Sequence, residues 1–128
     1  MTHTLAPWLS VEDGPRAVGF YIAAFGAKVV YRMEDPGGGL VVRLSVEGAE
    51  FWVSGGPAGG LAPGKTLLGG DTVRMILTSP DPDALFARAI AAGAKEISPV
   101  GEEHGWRLGR LCDPLGLHWE IGRLLNAE

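Results

Sequence analysis

The segment 113–122, DPLGLHWEIG, places an acidic residue inside an apolar strand. A Pro-Gly turn leads into an alternating run in which Leu117, Trp119 and Ile121 face one way and His118 and Glu120 the other. A carboxylate at Glu120 is costly to bury unless it is paired with a cation or coordinates a metal. The three histidines offer little help. His3 lies at the start of the chain, and His104 sits in the polar loop GEEHGW. His118 lies two residues from Glu120 on the same strand face and would have to share an ion with it. Two donors from one strand are too few for a tight metal site without further ligands. Nucleophilic schemes fare no better. No Ser-His-acid or Cys-His spacing is present, and Cys112 has no adjacent base. The stretch GGPAGG leads into no helix, so it does not read as a phosphate loop.

Composition narrows the class further. The 128 residues are 46% hydrophobic and 20% charged, as in one globular domain with a real core. Eleven basic against fifteen acidic residues give a net charge of −4, with no basic stripe. That argues against a nucleic-acid partner. No apolar run is long enough to span a bilayer, so no membrane partner is expected. A single cysteine suggests a reducing compartment, and the first ten residues lack signal-peptide features. The expected location is the cytoplasm.

The elements that must position Glu120 repeat along the chain. Helix signals follow Asp13, with Pro15 in the first turn, Val18, Tyr21, Ile22 and Phe25 on one face, and Gly26 as the stop. A second set follows Asp81, with Pro82, then Leu85, Phe86, Ala89 and Ile90, and Gly93. Both helices close on Gly-Ala-Lys, 67 residues apart. Strand-like runs precede them at 4–11 and 71–78. Others follow at 27–34, 41–45 and 48–55, matched by 94–100, 108–112 and 116–122. Each half therefore reads β-α-β-β-β, with Arg43 matched to Arg110 and Trp52 to Glu120. Module one covers about 4–54 and module two about 71–123 of a single domain. The Gly- and Pro-rich stretch at about 55–70 reads as a connector, with a mobile flap as the alternative.

The segments PWLSVEDGPRAVGFYIAAFGAKVVYRM, DPDALFARAIAAGAKEISP and GRLCDPLGLHWEI resemble the vicinal oxygen chelate superfamily of glyoxalases, bleomycin-resistance proteins and extradiol dioxygenases. The resemblance covers nearly the whole chain and is closest to small bacterial members. It implies an α+β fold in which two β-α-β-β-β modules form curved sheets around a cleft with the helices outside. It also implies a homodimer, often with modules pairing across subunits. In metal-dependent members the ligands are His, Gln or Glu on the first and fourth strands of each module. A terminal Asp-Pro-x-Gly-x-x-x-Glu carries the last of them, which here is Glu120. The three matching positions hold Trp52, Arg74 and Ala6, or Pro7 with a one-residue shift. None of these side chains binds a divalent ion, and the permanently charged guanidinium of Arg74 would repel one. No cofactor is therefore expected. A divalent metal held by Glu120, with His118, is the alternative.

Arg74 is instead expected to stand across from Glu120 and neutralise it. Val73, Met75 and Leu77 would face the helix, leaving Arg74 on the cleft side. The same alternation sends Arg43, Trp52, Arg110 and His118 to the cleft, with Trp8 and Trp106 near its rim. Trp119 belongs to the core, while solvated strand positions compete for Arg43 and Arg110. Aromatic walls with a few convergent polar groups describe a small-molecule site. More arginine than acid favours an anionic group on the ligand, and two indoles favour a planar part. A metal-free cleft binding a small anionic or aromatic molecule is the main functional reading. A lyase, isomerase or dioxygenase using Glu120, with a divalent metal or as a metal-free general base, is the alternative. A domain whose cleft is filled by its own side chains is the third.

Overall fold

The computed structural model describes residues 4–34, 36–37, 39–56 and 70–125. Its elements run β1 (Trp8–Ser10), α1 (Gly14–Phe25), β2 (Lys28–Glu34), β3 (Leu40–Val46), β4 (Ala49–Gly55), β5 (Gly70–Thr78), α2 (Pro82–Ala91), β6 (Lys95–Glu103), β7 (Trp106–Cys112) and β8 (Leu117–Leu124). They form two four-stranded mixed sheets, ordered β1-β4-β3-β2 and β5-β8-β7-β6. In each sheet the first strand pairs parallel to the fourth, and the other neighbours are antiparallel. This is the expected α+β arrangement of two β-α-β-β-β modules. The chain divides into two compact units, one running through β4 and the other from β5 onward. Ala23–Phe25, the last turn of α1, groups with the second unit. Of the expected linker or flap, 57–69 lies outside the described residues, as does His3.

Local chemistry sets the helix ends. Asp13 Oδ1 accepts from the Arg16 amide at 3.1 Å, and Asp81 Oδ1 from the Ala84 amide at 3.1 Å. A proline opens each helix. Gly26 closes α1 with φ 68°, its N–H donating to the Ile22 carbonyl at 3.0 Å. The buried stripe of α1 runs through Ala17, Phe20, Tyr21 and Ala24, with Val18 and Phe25 beside it. Ile22, expected on that face, is 42% exposed. It sits about 100° past Tyr21 around the helix, beyond the edge of the stripe.

In the first unit Leu40, Val42, Leu44, Phe51 and Val53 are buried beneath α1, and the edge of the Tyr21 ring meets Phe51 at 5.2 Å. The start of α1 lies so close to the end of β4 that a Cβ on Gly14 would fall 2.7 Å from the Gly55 carbonyl oxygen. Strand β1 is shorter than the expected 4–11. Pro7 precedes it and has no N–H to give the ladder, although its carbonyl accepts from the Trp52 amide at 2.9 Å.

In the second unit Phe86 and Ala89 of α2 lie over Leu111, Trp119 and Ile121. A Cβ on Gly109 would come within 2.9 Å of the Phe86 ring, so the absence of a side chain there lets the helix settle on the sheet. Of the three residues expected to face this helix from β5, only Leu77 is buried. Met75 is half-buried and Val73 is 54% exposed. Helix α2 packs mainly over β6, β7 and β8, which leaves the edge strand β5 largely uncovered.

Asp113 is the one buried charged residue among the described residues, at 3% exposure. Its Oδ1 accepts from the amides of Leu115 at 2.9 Å and Leu117 at 3.0 Å, and its Oδ2 accepts from Trp119 Nε1 at 2.9 Å. The carboxylate thus holds the β7–β8 turn and the first core residue of β8 together. Asp113→Ala is expected to lower unfolding free energy by about 3 kcal/mol in urea titration, since buried donors lose a charged acceptor. Asp113→Asn should fall between that variant and the native chain: its amide oxygen keeps two backbone donors, but its NH₂ opposes Trp119 Nε1.

Candidate functional site

On the face of the second sheet turned away from α2, strand register aligns side chains in rows. Ile76 (β5), Glu120 (β8), Arg110 (β7) and Ser98 (β6) form one row. Arg74, His118, Cys112 and Lys95 form the next. Arg74 reaches diagonally across, placing Nη1 2.9 Å from Glu120 Oε2. The expected pair is therefore present. The Glu120 side chain is 16% exposed and that of Arg74 40%, so the carboxylate is shielded while the guanidinium keeps a wet side.

The pair lines a cavity of about 420 Å³ with Arg110, Trp106, Ser98 and Leu108. Pro99, Gly101, Glu102, Glu103 and His104 complete its boundary, the side chains of the last three being 58%, 69% and 87% exposed. This rim is more acidic than the sequence suggested. The reason is that β6 runs on to Glu103, past the expected end at residue 100, and meets β7 through a two-residue turn. That turn has positive φ at His104 (53°) and Gly105 (82°), the geometry of a tight hairpin. A smaller pocket of about 180 Å³, bounded also by Ile76 and Gly122, shares Trp106, Leu108 and Glu120. His118 is not among the residues lining either space. Its Nδ1 is buried with no hydrogen-bond partner among the described residues.

The corresponding row of the first sheet is Trp8 (β1), Trp52 (β4), Arg43 (β3) and Tyr31 (β2). Trp8 and Trp52 stack at 5.6 Å and 16°, and the Tyr31 ring meets Trp52 edge-on at 5.6 Å. The Arg43 guanidinium lies 5.6 Å from the Trp52 ring centre and is held by Glu50, with Nε to Oε1 at 2.7 Å. Arg43, Glu50 and Trp52 border a separate cavity of about 430 Å³. The seven ligand-binding candidates and Glu120 therefore divide between the two units: Arg43, Trp52 and Trp8 in the first, and Arg74, Arg110, Trp106, His118 and Glu120 in the second. Sequence reasoning missed Glu50 and Tyr31. Alternation alone puts Glu50 beside Trp52, two residues apart on one strand face. Nothing local marks Tyr31, whose place depends on the pairing of β2 with β3.

These donors do not fit a divalent metal. The one carboxylate at the centre of the second row carries a guanidinium at 2.9 Å, and the position matching it in the first unit is an indole. Among the described residues no group of three His, Cys, Asp or Glu side chains converges.

A family model described as a glyoxalase-like domain matches residues 8–121. The chain belongs to this family, within the vicinal oxygen chelate superfamily. It is 36% identical over 124 residues to Mb0911c, an uncharacterized protein of Mycobacterium bovis, covering 93% of this chain and 82% of that one. Among solved structures, TioX from Micromonospora sp. ML1 superposes with a TM-score of 0.72 at 27% identity, covering 96% of this chain and all of the other. A glyoxylase/bleomycin resistance protein/dioxygenase domain from Frankia sp. EAN1pec gives 0.73 at 17% identity, covering 97% and 98%, a likeness of fold. Among the described residues no helix is long and apolar enough to cross a membrane.

Two other titratable features belong to the glyoxalase-like frame rather than to the cavity centre. Arg107, on the helix side of β7, holds Asp83 of α2 through two contacts of 2.7 and 2.6 Å. The Arg107 hydrogen bond lowers the Asp83 carboxyl below its ordinary range, and Asp83 raises Arg107 in turn. Burial, and then the charge of Asp113, pushes the Cys112 thiol up. Less thiolate is present at a given pH, so Cys112 should react with iodoacetamide more slowly than free cysteine at neutral pH, with a pH–rate inflection above the ordinary thiol range. The ion pair gives a second test. Arg74→Ala leaves Glu120 without its cation and should cost about 1 kcal/mol in urea unfolding, given the exposed guanidinium. The double variant Arg74→Ala/Glu120→Gln should recover part of that loss.

Proposed function

We propose that this glyoxalase-like protein binds a small molecule carrying an anionic group in the cavity of the second unit, without a metal. The observation that supports this reading best is the Arg74–Glu120 pair. It places a guanidinium where a metal ligand would stand, and Arg110 adds a second cation in the same cavity wall. Two guanidiniums against one carboxylate at the centre suit a carboxylate, phosphate or phosphonate, which arginine holds through paired N–H donors. The adjoining pocket bounded by Ile76, Trp106 and Leu108 suits an apolar part of the same ligand. The exposed Glu103 on the rim turns away ligands with negative charge at both ends, while Glu102 is partnered by Arg107 Nη1 at 3.6 Å. The fold serves many functions, so the reading rests on these residues and not on the likeness. We take the protein to act in the cytoplasm as a homodimer. Val29, Val30 and Met33 on the edge strand β2 are 41–50% exposed, an apolar edge that a second copy would cover.

Calorimetric titration of the chelator-treated protein with phenylphosphonate tests the proposal. Binding is expected without metal, weaker by about tenfold in Arg110→Ala and in Arg74→Ala, and weaker again at high salt. One equivalent of Ni, Co, Zn, Mn or Fe(II) retained after desalting, and lost in Glu120→Ala, would overturn it and return the protein to metal-dependent lyase, isomerase or dioxygenase chemistry.

A further inference from the structure

We infer that the first unit carries a binding site of its own, for a planar, electron-poor, uncharged aromatic molecule stacked on Trp8. The inference does not rest on the anion cavity of the second unit. It begins from the exposure of Trp8, which is 52% although the residue belongs to a paired strand. An indole is a large apolar surface to leave in water. One of its faces is taken by Trp52, at 5.6 Å and 16°, so its exposure lies mostly on the other face.

The ring is also held in place. Its single polar atom, Nε1, donates to Ser54 Oγ at 2.8 Å, so an incoming ligand has no donor to satisfy. Trp52 behind it is braced by the Tyr31 edge and the Arg43 guanidinium, each at 5.6 Å. The platform is therefore ordered before any ligand arrives, and little rotamer entropy remains to be lost on binding.

Charge selects the ligand class. Glu50 neutralises Arg43, the only cation in the row, so nothing there calls for an anion. Indole faces are electron-rich, and their attraction is strongest for rings that are electron-poor. Trp8 does not line the cavity of about 430 Å³ bordered by Leu5, Ala6, Arg43, Glu50 and Trp52, so the stacking face is an open platform and the ligand is held by its ring rather than enclosed.

Riboflavin is a suitable probe: its ring system is planar, electron-poor, uncharged and fluorescent. Titration with the native protein is expected to quench its emission saturably, with a midpoint below about 1 mM. Trp8→Leu should weaken binding about tenfold or more, the scale of one lost stacking partner. Trp8→Phe keeps a smaller flat ring and should weaken it about threefold, so it decides the matter if Trp8→Leu does not fold. Arg74→Ala should leave riboflavin binding unchanged, and so should raising salt from about 0.1 to 1 M. Absence of saturable quenching, native affinity in Trp8→Leu or Trp8→Phe, or loss of binding in Arg74→Ala or at high salt would overturn the inference. So would a native dimer that dissociates in Trp8→Leu, which would make Trp8 a subunit contact.

Discussion

One buried carboxylate governs the geometry of the second unit. Asp113 accepts from two backbone amides and an indole, and so decides where β8 begins. Strand β8 lies between β5 and β7, and both take their register from it. A slip of one residue would reverse every side chain on it. Glu120 would turn under α2 among apolar residues, and Trp119 would turn into the cavity. The hydrogen bond from Trp119 Nε1 to Asp113 blocks that slip directly, because only one register brings the indole back to the turn. The ion pair between Arg74 and Glu120 thus depends on a group seven residues before Glu120 that lines neither pocket.

The two units use the same frame for opposite chemistry. In each, the third strand supplies an arginine at the matching place, Arg43 and Arg110. The other positions of the row differ. Ile76, Glu120 and Ser98 stand in the second unit where Trp8, Trp52 and Tyr31 stand in the first. Where the neighbours are aromatic, the arginine lies over a ring and is neutralised by Glu50 on its own hairpin. Where the central neighbour is a carboxylate, a second arginine enters from the edge strand to balance it. In each unit the balancing charge comes from outside the row: Glu50 lies two residues from Trp52 on β4, and Arg74 lies in the next row of the second sheet.

How much of this was legible in the sequence depended on whether the signal was local. Asp13, Pro15 and Gly26 mark α1 because capping is decided within one turn, and Asp81 and Pro82 do the same for α2. Strand alternation was enough to put Arg74 on the same sheet face as Glu120, although its Cα partner is His118 and the contact runs diagonally. Ile22 and Val73 failed the same reasoning for a shared reason. Hydrophobicity says that a side chain prefers burial, but whether a helix or sheet covers it is decided by packing between elements. The acidic rim was hidden because the end of β6 depends on its pairing with β7 around His104 and Gly105. Asp113 looked like a turn residue, and only the folded chain shows its carboxylate satisfied from three directions.

The pairing of Arg74 with Glu120 also explains why a carboxylate can persist in a site whose other donors do not suit a metal. Removing the carboxylate alone would leave the Arg74 guanidinium without the acceptor it holds at 2.9 Å. Removing the arginine alone would leave a shielded carboxylate without its partner, 16% exposed. Each residue penalises the loss of the other. Replacing Arg74 by histidine would not rebuild a metal centre. It would set one imidazole beside one carboxylate, with His118 outside the cavity lining and Ile76 the Cα partner of Glu120. The residues around the pair therefore oppose a metal centre as much as the pair itself does.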